Sequence, residues 1–251
     1  MIKAVMFDMG GTLEDLYSDE KNDKATAKEL WRILKEHDID VPFDNAEDLW
    51  AIVGKQLLDY KASAEKTMME LKPEEIWPDY AFKGIDVDKK AIAECSEEIA
   101  HMWETTYYDR KLRDHAKEML QGLKDLGLYV GVVSNTASLF QVFETLKKYG
   151  VREYFDGIVL SCEVGYRKPH PNIFKLACAH ADLKPEECAF VGDTVSRDVI
   201  GPRKVGFGEV FKICSFLTPL KDIGNYDGYE PDHEVQDIYE VYTILKEELG
   251  R

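Results

Sequence analysis

Three short apolar runs in this chain stop abruptly at a polar residue, and that repetition limits the fold more than any other feature. Residues 2–7 end at Asp8 in Asp8-Met9-Gly10-Gly11-Thr12, residues 128–133 end at Ser134-Asn135, and residues 188–191 end at Gly192-Asp193. A near-continuous apolar run of this length suits a strand covered on both faces, as in a parallel sheet. Residues 157–160 and 209–213 are further strand candidates. Helical patterns lie between them: 114–126 stopped by Gly127, 138–149 stopped by Gly150, and 171–181 with Pro171 in its first turn. Strands alternating with helices predict an α/β fold built on a doubly wound parallel sheet, whose ligands lie beyond the carboxyl ends of the strands. The polar residues just named fall there.

Between Asp15 and Arg110 the texture changes. No comparable run occurs, and apolar residues follow helical spacing: Ala27, Leu30, Trp31 and Leu34; Leu49, Val53, Leu57 and Tyr60; Ile92, Cys95, Ile99, Met102 and Trp103. Asn45 with Asp48, and Asp88, are suited to start helices. Amphipathic helices bury their stripes well against one another, so 15–110 is predicted to be an inserted all-helical domain, with 1–14 and 111–251 forming the α/β core. The tail, 233–238 followed by a helical stretch to Leu249, is assigned to that core.

Asp plus Glu number 48 against 32 Lys plus Arg, a formal charge of -16, which repels nucleic-acid phosphates and anionic membrane surfaces at long range. Neither is an expected partner, and any phosphate ligand must be held locally. The five cysteines are scattered and never form a Cys-x-x-Cys pair, which points to reduced thiols rather than a disulfide framework or a zinc site. No apolar run approaches a membrane span, so the expectation is a soluble, cytoplasmic protein, monomer or homodimer.

The predicted strand ends bring Asp8, Ser134, Lys168, Asp193 and Asp198 toward one pocket. Three carboxylates and one ammonium leave excess negative charge that is costly to bury, and a divalent cation offsets it. Hard oxygen donors without histidine or cysteine point to magnesium, with Asp8 and Asp193 as ligands and Asp198 in support. A carboxylate facing a bound phosphoryl group can attack it and form an aspartyl phosphate. Lys168, Ser134 with Asn135 beside it, and the N–H groups of the turn through Gly11 and Thr12 are expected to receive the substrate's phosphoryl group. The catalytic set is then Asp8, Ser134, Lys168 and Asp193, and the partner a small phosphorylated metabolite. Arg197 reads as a solvated helix-surface charge, and Trp31, Trp50 and Trp103 as core.

Taken together these residues resemble the motifs of the haloacid dehalogenase superfamily. They are Asp8-x-x-Gly11-Thr12 after an apolar strand, Ser134 at a strand end, Lys168-Pro169-x-Pro171, and Gly192-Asp193-x-x-x-x-Asp198-Val199-x-Gly201. All stand in the family's order and span both predicted core segments. The resemblance implies a Rossmann-like core with a helical cap after the first motif, a magnesium-dependent hydrolase working through an aspartyl phosphate, and the backbone carbonyl of Gly10 as a further metal ligand. One position departs. The family's phosphatases carry a second aspartate two residues after the nucleophile, where this chain has Gly10, which offers no side chain to protonate a leaving oxygen. General acid–base assistance is worth about 10²- to 10⁴-fold, so leaving groups that need little protonation, such as acyl phosphates or phenolates, lose least. Two alternatives stay open. One is a phosphonate hydrolase in which a cap lysine, Lys55, Lys61 or Lys66, forms an imine; the other is a catalytically weakened phosphate-binding protein. The family's dehalogenases fit less well, because they work without metal and do not keep the pair Asp193 and Asp198.

Overall fold

The computed structural model describes residues 1–250 except 217, 223, 225 and 227. Its strands are β1 (Ala4–Phe7), β2 (Glu14–Tyr17), β3 (Asp109–Leu112), β4 (Tyr129–Ser134), β5 (Gly157–Leu160), β6 (Cys188–Gly192), β7 (Glu209–Ile213) and β8 (His233–Val235). Six of them form one parallel sheet in the order β5-β4-β1-β6-β7-β8. The strand β1, which pairs with both β4 and β6, aligns Phe7 with Val132 and Val191, so the ends of all three strands fall at one edge.

Why β1 is apolar throughout is visible in its surroundings. Val5 and Phe7 pack on one face against Met119, Leu120 and Leu123 of the helix Ala116–Asp125 and Val241 and Leu245 of the helix Tyr239–Glu248. Ala4 and Met6 pack on the other against Ile173, Phe174 and Ala177 of the helix Pro171–Ala181. Both faces are covered, as a doubly wound sheet requires. The predicted glycine stops hold: Gly127 and Gly150 have φ of 73° and 67°, a region that a side chain disfavours.

The inserted stretch is helical, with its main helices at Glu20–Glu36, Ala46–Thr67 and Ser96–Thr106. Asp19 caps the first by accepting from Lys21 and Asn22 N–H, Asn45 caps the second by accepting from Asp48 N–H, and Asp88 caps the short helix Lys89–Glu94. Leu30, Leu49, Val53, Leu57, Ile92, Ile99 and Trp103 meet in a core of their own, joined by Trp77 and Phe82. The stripe from Ile92 to Trp103 is carried by two helices rather than one, with the break at Cys95. At the two junctions the structure adds an element not expected from the sequence. β2 and β3 pair antiparallel, Glu14 opposite Leu112 and Tyr17 opposite Asp109, so both chain crossings run in one ribbon. No helix among the described residues is long and apolar enough to cross a membrane.

Candidate active site

Asp8 leaves β1 at the carboxyl edge of the sheet with its N–H still bonded to the Val191 carbonyl at 2.9 Å. The chain then closes on itself: Leu13 and Glu14 N–H donate to the Met9 carbonyl at 3.0 and 3.2 Å, and Gly11 N–H donates to the Glu14 carbonyl at 2.8 Å. Gly11 has φ +96°, and a Cβ placed on it would lie 2.2 Å from Asp193 Oδ2. Glycine is required there for Asp193 to approach the turn. Gly192 serves the same end, since a Cβ on it would lie 2.1 Å from the Cβ of Asp198.

The Lys168 ammonium lies 2.6 Å from Asp8 Oδ1 and 2.8 Å from Asp198 Oδ1. All three residues are buried. Asn135, just past β4, clasps the main chain of Lys168: its amide oxygen accepts from the Lys168 N–H at 2.8 Å and its amide N–H donates to the Lys168 carbonyl at 3.2 Å. Asp198 also accepts from the Thr194 N–H at 3.1 Å and the Thr194 hydroxyl at 2.6 Å. Burial pushes the Asp198 carboxyl up, but Lys168, Arg197 and these hydrogen bonds outweigh it and hold the group below its ordinary value. Asp8, Asp193 and Asp198 each present a carboxylate oxygen within 4.8 Å of the other two. An all-oxygen, anionic set of this kind is suited to a hard divalent cation.

Above this floor, between the sheet edge and the inserted helices, lies a cavity of about 480 Å³. Asp8, Gly10, Ser134, Asn135 and Lys168 stand on its wall from the sheet side, while Leu57, Tyr60, Lys61, Trp103 and Tyr108 face it from the insertion. Asp193 and Asp198 lie beneath the wall. Gly11 and Thr12 are not on it; Thr12 is wholly buried and Gly11 faces Asp193. The first motif therefore offers the cavity Asp8, Met9 and Gly10, and the following turn is packing.

Arg197 also lines the cavity, which corrects its reading as a solvated surface charge. Val195–Val199 is a π-helical turn, so the facing of its residues departs from the α period that the surface reading assumes. Burial alone would favour loss of the Arg197 proton, yet Asp198, Asp8 and Asp193 more than reverse this and raise its pKa above the ordinary value. Trp103 is both core and cavity wall. Of the three lysines singled out in the insertion, Lys61 reaches the cavity; Lys55 is engaged with Asp59 at 2.9 Å on the surface, and Lys66 is exposed.

Two buried ionic networks join the insertion to the sheet domain. Glu70 pairs with Arg167 and accepts from Tyr60 Oη at 2.7 Å and Ser161 Oγ at 2.9 Å. Arg110 pairs with Glu14 and, at 2.7 Å, with Glu104, while Tyr149 Oη donates to Glu14 at 2.7 Å. Burial pushes the Glu14 carboxyl up even against the attraction of Arg110. None of these pairs has a spacing that sequence reading can detect, because Arg110 meets Glu14 across 96 positions and Arg167 meets Glu70 across 97.

Comparison with known proteins agrees with this architecture. A family model described as haloacid dehalogenase-like hydrolase matches residues 2–206. A glyceraldehyde 3-phosphate phosphatase of Methanocaldococcus jannaschii is 25% identical, with 98% of each chain aligned. Pyrophosphatase PpaX of Bacillus thuringiensis is 27% identical over 98% of this chain and 97% of its own. Among solved structures, an HAD phosphatase from Thermococcus onnurineus superposes with a TM-score of 0.62 at 24% identity, covering 97% of this chain and 98% of that one.

Proposed function

Since this chain belongs to the haloacid dehalogenase-like hydrolases, we propose that it is a magnesium-dependent phosphatase in which Asp8 takes the phosphoryl group and water then releases it. The observation that carries this reading is the Lys168 ammonium set between Asp8 and Asp198, with Asp193 beside them, at the floor of the cavity between the sheet edge and the inserted helices. An Asp8 carboxylate oxygen bonds to phosphorus as the bond from phosphorus to the leaving oxygen breaks, and the electron pair departs with that oxygen. Water then attacks the aspartyl phosphate, the bond between phosphorus and the Asp8 oxygen breaks, and orthophosphate leaves with Asp8 restored. Lys168 and the Ser134 hydroxyl donate to the phosphoryl oxygens, and Asn135 fixes Lys168 for that contact. Asp8, Asp193 and Asp198, with the Gly10 carbonyl, would hold the magnesium ion, which when bound supplies neutralisation of the phosphoryl charge.

The reaction is tested by phosphate release from p-nitrophenyl phosphate and acetyl phosphate. Turnover is expected with magnesium, to fall at least about tenfold on chelation, and to return when magnesium is restored in excess. Equal rates with and without chelator would sink the metal assignment.

Gly10 narrows the substrates. With no acid at that position, an oxygen that departs as a stable anion is favoured over an alkoxide, which suits an anhydride or aryl ester. The similarity to a pyrophosphatase supports the same preference. Gly10→Asp is therefore expected to raise turnover of alkyl phosphates by about tenfold or more and of aryl phosphates by much less. The Leu16 side chain must shift to admit it, because a Cβ on Gly10 would lie 2.7 Å from the Leu16 Cδ1 end and would meet no other residue within 4 Å. Equal gains on both classes, or equal losses, would contradict the role given to position 10.

A further inference from the structure

We infer that Lys61 recognises a second anionic group on the substrate, a carboxylate or phosphate remote from the phosphoryl group that is transferred, and so decides which phosphorylated compounds the cavity accepts. The inference rests on the phosphatase reading and specifies the tail of its substrate.

Lys61 projects from the helix Ala46–Thr67 to the cavity wall shared with Asp8. Its Nζ lies 4.6 Å from the centre of the Trp103 ring and 5.8 Å from that of Tyr108, and 3.5 Å from Tyr108 Oη. Other cations of the wall are answered by carboxylates: Arg110 by Glu14 and Glu104, Arg167 by Glu70, Lys168 by Asp8 and Asp198. Arg197 stands over the acidic floor. Lys61 forms no ion pair among the described residues; the Trp103 and Tyr108 rings lie against it, and Glu104, already paired with Arg110, acts on it without a direct contact.

An ammonium withdrawn from water in this way is costly, and ring faces offset only part of the loss. An incoming anion would complete the balance, and exclusion of water around the ammonium strengthens its attraction. A neutral tail would leave the ammonium as it stands. Burial would favour the neutral amine, but Tyr108 and Glu104 more than reverse this and keep the group above its ordinary value. The charged form is the one that attracts an anion.

The test is calorimetry on Asp8→Asn protein with magnesium, using phosphoglycolate for a carboxylate tail, pyrophosphate for a phosphate tail and 2-hydroxyethyl phosphate for a neutral one. At least one anionic ligand is expected to bind tenfold or more tightly than the neutral one, and the arm that does so identifies the anion. Adding Lys61→Met should abolish that preference, and Lys61→Arg should retain most of it. In the otherwise unaltered enzyme the same substitutions should change the ratio of kcat/KM for anionic over neutral substrates, chiefly through KM. Equal affinities for all three ligands, or a Lys61→Met variant that weakens all three in proportion, would overturn the inference. Either result alongside normal hydrolysis of p-nitrophenyl phosphate would leave the phosphatase reading standing, whereas failure of that hydrolysis with anion preference intact would remove the reaction and keep the site.

Discussion

Asp8→Asn is expected to lower magnesium-dependent release of phosphate from p-nitrophenyl phosphate by at least about 10³-fold while the protein stays folded. An amide is neutral and cannot form the aspartyl phosphate, so the proposed two-step path closes altogether. Stability should suffer little. Lys168 keeps Asp198 at 2.8 Å after the change, and one of three crowded carboxylates has lost its charge. A steady-state assay paired with a thermal melt separates the two effects. A folded variant that keeps more than about a tenth of the activity would exclude Asp8 as the nucleophile.

Lys168→Met should damage both activity and stability. Lys168 is 4% exposed and its ammonium lies within 2.8 Å of two buried carboxylates, so its removal takes away their nearest counter-charge and leaves Arg197 alone over the acidic floor. Breaking a buried pair from one side costs about 3–5 kcal/mol. For a chain of this size that is a fall in Tm of roughly 6–20 °C in metal-free buffer. Magnesium should restore more of the Tm in the variant than it adds to the unaltered protein, because a bound divalent ion answers the same charge. Activity should fall at least about 10²-fold even with magnesium, since a donor to the phosphoryl group is lost. An unchanged Tm without metal would refute the account of Lys168 as the counter-charge.

Much of this architecture is legible in the sequence because it is built from local signals. Val5, Phe7, Val132 and Val191 are apolar at every step of their strands, and that needs no partner to interpret. Gly127 and Gly150 mark helix ends because their φ values of 73° and 67° are awkward for any side chain. The convergence of Asp8 and Asp193 follows once the strands are parallel, for then their ends lie on one edge; Lys168 and Asp198 reach it on the loop and the helical turn beyond. What escapes is defined by the partner. β2 reads Glu-Asp-Leu-Tyr and β3 Asp-Arg-Lys-Leu, with no buried run to announce them, and each is a strand only because the other lies beside it. Glu14 is fully buried against Arg110, a pairing that no window of sequence contains. Gly11 and Thr12 look like a phosphate cradle by composition, but the space that Gly11 keeps open is taken by Asp193. Arg197 faces inward through a π-helical turn, which a period of 3.6 cannot anticipate.

The double hydrogen bond from the Asn135 amide to the main chain of Lys168 fastens a loop to the tip of a strand. β4 is in turn bonded rung by rung to β1, which ends at Phe7 just before Asp8. The ammonium and the carboxylate it faces, 160 positions apart in the chain, thus derive their separation from the sheet's own lattice, whose neighbouring strands are spaced by roughly 4.8 Å. A drift of the loop would have to tear either the amide clasp or the sheet. The alignment of the two charges is therefore tied to the stiffest part of the molecule, and the same loop is held from the other side by the insertion, where Arg167 N–H donates to the Met68 carbonyl at 3.0 Å and its guanidinium pairs with Glu70.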